Sequence, residues 1–196
     1  MPASSSSPRL RRGGYTLIEL LIVIGILGLA GALLIPHLVG RESMTVQAAV
    51  RQAIADLSFA QSDALAHQEY RRVHLYADGR GYCIVRVDES DYAGAFDEDS
   101  ADYIADPLKE HGDYIVDFSA DDRFEGVSIT SASIDGGGEG IGGAGADVVY
   151  EPLGGTIRAG GLPGTGGSVE LTAGGHTYRL SIAPFTGKLT VQKVGG

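Results

Sequence analysis

From Leu20 to Ile35 the chain carries sixteen residues with no charged or strongly polar side chain, and directly before them stands a carboxylate, Glu19. With Tyr15 to Glu19 included, the run is long enough to cross a bilayer as a helix, which takes about 20 residues rising 1.5 Å each. Residues 1–14, MPASSSSPRLRRGG, hold Arg9, Arg11 and Arg12 and no acid. The positive-inside rule keeps such a segment cytoplasmic and places the rest of the chain on the far side. A carboxylate alone in hydrocarbon costs about 3 kcal/mol on insertion scales, so Glu19 calls for a partner. An ordinary secretory signal is the rival reading. It has a shorter apolar region and a small-residue cleavage site. The stretch around Gly28–Ala32 offers such a site, but a plain signal has no use for Glu19.

Gly14-Tyr15-Thr16-Leu17-Ile18-Glu19 resembles the G|FTLIE processing site of type IV pilins and type II secretion pseudopilins, with Tyr where Phe is usual. The resemblance implies cleavage after Gly14 by a prepilin peptidase and methylation of the new amine on Tyr15. It implies that Glu19 pairs with the N-terminal amine of a neighbouring subunit during assembly. Pro36 falls where many pilins carry a helix-bending proline. Proline disrupts helix interiors generally, so a plain helix end at the membrane boundary is the other reading of that residue.

Beyond Pro36 the pattern turns amphipathic. Val46, Val50, Ala53, Leu57, Ala60 and Ala64 recur at spacings of three and four, with Ile54 and Leu65 widening the stripe. Arg51, Gln52, Asp56, Gln61, Ser62 and Asp63 fall between them. This is the core-facing stripe of a surface helix. A single helix is expected from about residue 15 to about 69, roughly 80 Å long, with a kink near Pro36.

From residue 71 the period becomes two. Val73 and Leu75, then Tyr82, Ile84, Val85 and Val87, flank Asp78-Gly79-Arg80-Gly81, which reads as a hairpin. Further strands are expected at 114–118, 127–130, 147–150, 156–158, 168–172, 176–182 and 188–192. Ala173-Gly174-Gly175 and Pro184-Phe185-Thr186-Gly187 read as turns. The chain holds 30 glycines, most of them after position 130, which favours short strands and turns over long helices. The expected class is α+β: a long N-terminal helix, membrane-spanning in its first half, packed on a C-terminal antiparallel sheet domain. The expected division is 1–14 leader, 15–36 transmembrane and filament-core half of the helix, 37–70 amphipathic half, and 71–196 β-rich globular domain.

A looser resemblance lies in the later chain. Glu151-Pro152-Leu153-Gly154-Gly155-Thr156, the ending Leu180-Ser181-Ile182 with Thr186-Gly187-Lys188-Leu189-Thr190-Val191, and Ala60-Gln61-Ser62-Asp63-Ala64 are similar to the GspH/FimT-like minor pseudopilins. That family often has an Arg in the last of these segments, and this chain lacks it. The resemblance implies a minor pseudopilin of a type II secretion-like periplasmic filament, acting in initiation or at the tip and in protein secretion. Its implied partners are prepilin peptidase, other major and minor pseudopilins, the inner membrane and secreted cargo. The alternative it implies is a FimT-like minor pilin that binds DNA for uptake, for which Arg179, Lys188 and Lys193 would form a local basic patch. Bulk charge argues against nucleic acid. Without the three leader arginines, twelve basic residues face 25 acidic ones, a net charge of −13.

No catalytic pattern stands out, and no cofactor or metal is expected. His37, His67, His74, His111 and His176 are dispersed, without metal-ligand spacing. The lone Cys83 makes no intramolecular disulfide and reads as a small buried strand residue. Residues 88–112 carry Asp88, Glu89, Asp91, Asp97, Glu98, Asp99, Asp102 and Asp106. Their spacing does not match a calcium loop, and a solvated acidic insertion is expected. Gly138-Glu139-Gly140-Ile141-Gly142-Gly143 fits GxGxxG, yet no strand-turn-helix unit follows it, so 135–146 reads as a flexible loop.

Overall fold

The computed structural model describes residues 15–39, 41–109, 112–137, 141 and 145–196, with the side chains of 32–39 and 41 left aside. The chain divides into two units, 1–40 and 41–196. Unit one contributes helix α1, Leu17–Val39. Unit two begins with helix α2, Arg41–His67, followed among the described residues by eleven strands. Of the single helix expected over 15–69, the described residues give two stretches, Leu17–Val39 and Arg41–His67; residue 40 between them lies outside the described residues. Pro36 lies within α1 rather than at its end; its side chain lies outside the described residues.

α2 buries Val46, Val50, Ala53, Leu57, Ala60 and Ala64, as the spacing predicts, together with Ala49. Leu65 is exposed, so it does not widen the stripe. Two antiparallel sheets receive this face. The first holds β1 (Tyr70–Leu75), β2 (Gly81–Val87), β3 (Asp102–Tyr103), β4 (Ile115–Asp117), β6 (Ala146–Tyr150), β7 (Thr156–Arg158) and β8 (Leu162–Pro163). Its order is β3-β2-β1-β6-β7-β8, with β4 also paired to β2. The second holds β5 (Val127–Ile134), β9 (Gly167–Ala173), β10 (His176–Ile182) and β11 (Leu189–Gly195), in the order β11-β10-β9-β5. The three layers meet where Ala53 and Leu57 of α2 face Val73, Tyr82 and Val148 of the first sheet and Ile129, Leu171 and Leu180 of the second. The α+β class and the antiparallel sheet both agree with the sequence expectation. The short strands β3 and β8 had no counterpart in it.

The β1–β2 hairpin pairs Leu75 with Tyr82, so the expected turn lies at 76–81. Gly79 sits there at φ +75°, and a Cβ on it would come within 2.3 Å of the Ile129 carbonyl oxygen. Only glycine lets the second sheet abut this turn, where the Ile129 N–H donates to the Gly79 carbonyl at 2.9 Å. In β5 the buried residues run Val127, Ile129, Ala132, Ile134. The shift from odd to even follows from a bulge at Thr130, which inserts one residue against β9 and returns apolar side chains to the core face.

β1 and β2 are buried on both faces, contrary to the alternation expected of a half-solvated sheet. The cover is the segment 88–101. Phe96 stacks on His74 with ring centroids 3.8 Å apart, and Tyr92 stacks on Tyr70 at 5.4 Å. Phe96, Ala101 and Tyr103 pack against Tyr76, Cys83 and Val85. The acidic insertion is thus pinned by two aromatic anchors, with most of its carboxylates left in solvent. Cys83 is buried in β2 as expected, and burial pushes its thiol up to about 11.

Candidate functional site

The residues that carry the processing reading sit at the start of α1. Gly14 lies outside the described residues. Thr16 precedes the helix, and its carbonyl accepts the Leu20 N–H at 3.1 Å. Its hydroxyl oxygen accepts the Glu19 N–H at 3.2 Å. Thr16 is therefore the N-cap, and Thr16-Leu17-Ile18-Glu19 has the Ser/Thr-x-x-Glu spacing of a capping box. That signal was legible in the sequence but was overshadowed there by the processing motif. The helix places Glu19 in its first turn, where the positive end of the dipole favours a carboxylate. Glu19 is exposed, and no ion-pair partner for it is present among the described residues.

Leu17, Ile18, Leu20, Leu21, Ile22, Val23 and Ile24 are all exposed. Successive helical residues are 100° apart, so this run presents apolar surface in every direction. A soluble helix hides one stripe; one that is apolar all round needs lipid or protein about it. Among the described residues, no helix is long and apolar enough to cross a membrane. The described side chains of α1 end at Gly31, and at 1.5 Å per residue the part from Leu17 reaches about 22 Å, short of the about 30 Å of a hydrocarbon core. The span expected over 15–36 runs beyond that point.

A second constellation lies in unit two. Gln61 donates through its amide nitrogen to the Gly154 carbonyl at 2.6 Å and to the Thr186 carbonyl at 2.8 Å. One side chain of α2 thereby ties down the 151–155 turn and the 184–187 turn. The Thr156 N–H donates to the Phe185 carbonyl at 2.9 Å and links the same two turns directly. Gly187 at φ +62° completes the contact: a Cβ there would meet Tyr150 Cε1 at 2.8 Å and Thr156 Cγ2 at 3.1 Å. All three segments that carry the looser resemblance converge at Gln61. The sequence contained the segments but no sign that a glutamine joins them.

Two buried polar groups lie on α2 or beside its end. Asp56, placed between apolar positions by the helical spacing, is 2% exposed. It accepts from Tyr82 Oη at 2.6 Å, Tyr114 Oη at 2.9 Å and Gln52 Nε2 at 2.8 Å. Burial raises its carboxyl pKa above the ordinary value, against the lowering effect of those donors. Burial likewise raises both tyrosines. Arg71, 1% exposed, donates to Asp63 at 2.5 Å and pairs with Glu69 at 3.0 Å, tying the end of α2 to the start of β1. Asp56 is enclosed, Arg71 is buried while its partner Glu69 reaches solvent, and the geometry of both clusters serves the fold.

The other candidate residues stay apart. His74 is buried, pairs with Asp147 at 2.7 Å and lies under Phe96; His67 pairs with Asp63 on α2; His176 begins β10; His37 falls within α1 with its side chain outside what is described, and His111 lies outside it altogether. Among the described residues no group of three His, Cys, Asp or Glu is placed to hold a metal ion. Most of the GxGxxG match, 138–140 and 142–143, lies outside the described residues. The basic trio does not share a face. Arg179 pairs with Gln192 across β10 and β11 while Lys193 pairs with Tyr178, so the two point to opposite sides of the sheet. Arg179 is also held by Glu170 at 2.6 Å.

Residues 9–35 match the family model described as the prokaryotic N-terminal methylation motif. The match supports the pilin and pseudopilin superfamily, with processing by a prepilin peptidase and a structural rather than enzymatic protein. No curated protein and no solved structure matches the chain.

Proposed function

We propose that this chain is a minor pseudopilin of a type II secretion-like periplasmic filament, contributing to filament initiation or the tip and to protein secretion. The observation that carries this reading is the methylation motif over 9–35 leading into a helix that is apolar on every side and bears one acid. Cleavage after Gly14 frees the amine of Tyr15, which is then methylated. Glu19 pairs with the corresponding amine of a neighbouring subunit, which neutralises the carboxylate inside an apolar surround. Residues 15–36 serve first as the inner-membrane span and then as filament core, Pro36 bending the helix, while the globular domain stands in the periplasm. The convergence of three GspH/FimT-like segments at Gln61 supports the subfamily.

Mass spectrometry of the mature chain tests the reading. The expected N-terminus is methylated Tyr15. A start beyond residue 28, or an uncut leader in cells with active prepilin peptidase, overturns it. DNA uptake gains no support from the opposed faces of Arg179 and Lys193; a salt-sensitive mobility shift of DNA by the globular domain would reopen it.

A further inference from the structure

Near Gln61 three large apolar side chains stand on the surface of unit two. Leu65, Leu153 and Phe185 are 55%, 79% and 63% exposed, far more than large apolar side chains usually are. They come from three separate segments and are brought together by the bonds just described. A Cβ at Gly154 would lie 4.0 Å from Leu65 Cβ, which places the 151–155 turn against α2. The Gln61 amide donors are already satisfied within the patch, so covering it strips few polar groups of water. Phe185 adopts φ +60°, a left-handed conformation that costs a bulky residue of order 1 kcal/mol and more. Asn or Gly would hold that turn without strain, yet a large ring stands there and faces solvent.

We propose that the Leu65–Leu153–Phe185 patch seats the apolar helix α1 of a second copy of this chain, an inference that rests on the filament-subunit reading above. Charge selects this occupant. The chain without its leader carries −13, so most faces of a second globular unit repel this one. α1 carries one acid, Glu19, within Leu17–Val39, and its large side chains from Leu17 to Leu29 are exposed. The two turns contribute a single charged side chain, Glu151, so the apolar side chains between them face little like charge. An apolar helix buried against three large side chains gains from area removed from water, about 25 cal/mol per Å², without opposing like charge.

The test is a crosslink between two differently tagged full-length copies assembled in the same membranes, one carrying Leu153→Cys and the other Leu27→Cys. A short bis-maleimide joins them, and the buried Cys83 stays silent. The expected result is a two-tag dimer at least about tenfold above a control in which Ser119→Cys, on an exposed loop, replaces Leu153→Cys. Adding Phe185→Asn keeps a residue that tolerates left-handed backbone and removes the ring; it should cut the two-tag dimer several-fold while the melting temperature of the globular domain holds or rises. A yield no higher than the control, a yield indifferent to Phe185→Asn, or efficient joining of two Leu153→Cys copies to each other overturns the proposal. The N-terminal mass of the same sample separates the two claims: methylated Tyr15 without the dimer defeats only this inference, whereas an uncut leader defeats the reading beneath it.

Discussion

Tyr82 on β2 donates its hydroxyl to the carboxylate of Asp56 on α2 at 2.6 Å, inside the core. The pair is a buried polar link between the amphipathic helix and the first sheet, and Tyr114 adds a second bond to the same carboxylate at 2.9 Å. A carboxylate on the core face is tolerated because it accepts three bonds; without them it would be an unpaired buried charge.

Asp56→Ala should destabilise the globular domain by about 2–4 kcal/mol, since it leaves two enclosed tyrosine hydroxyls without an acceptor and opens a small void. Asp56→Asn should cost about half as much, because one carbonyl oxygen still accepts. Urea unfolding of both variants checks the order.

The pH dependence has a definite sign. Burial raises the Asp56 pKa in the fold above its ordinary 3.8, so the fold binds its proton more tightly than the unfolded chain does. Its contribution to stability is fully present below 3.8 and is lost as pH rises through the raised folded value. Asp117 and Asp121 work the other way: hydrogen bonds from Ser119 and Arg123 respectively lower their pKa values, and their contribution is lost on acidification. Unfolding free energies of wild type and Asp56→Asn, measured from pH 4 to neutrality, should therefore differ by an amount that changes with pH in one direction. The gap between them should narrow or reverse as pH rises; a constant gap would contradict the raised pKa.

Gln61→Ala removes both bonds to the Gly154 and Thr186 carbonyls. The expected cost is about 1–2 kcal/mol, at roughly 1 kcal/mol for each bond. The loosening should be local, so amide exchange should speed up within 151–156 and 183–188 and stay unchanged in the β1–β2 hairpin.

Glu19→Ala should leave cleavage after Gly14 intact and impair assembly. A charge-assisted bond is worth about 1.5–3 kcal/mol, hence about tenfold or more in incorporation into sheared filaments. Normal incorporation would count against the proposed pairing with a neighbour's amine.

Much of the architecture was legible from neighbouring residues. The apolar run, the stripe from Val46 to Ala64, the Asp78-Gly79 turn and the Gly174-Gly175 turn are local patterns, because helix and strand periods and glycine's backbone freedom depend on nearby atoms. The same locality explains the miss at Asp56. Residue type assigned it to solvent, and helical spacing alone does not show that tyrosines 26 and 58 positions away reach it. Alternation likewise predicts one wet face for β1 and β2, and the return of the 88–101 segment, with Phe96 on His74 and Tyr92 on Tyr70, dries it.

By itself, then, the sequence determined the processing motif, the apolar helix with its single acid, and an α+β order of helix before strands, since each is written in contiguous residues. The tertiary structure decided which polar groups are buried, where β5 bulges, and that Gln61 gathers two distant turns beside Leu65. Those outcomes depend on desolvation and on hydrogen bonds between residues up to 125 positions apart, and such energies exist only once the chain has folded.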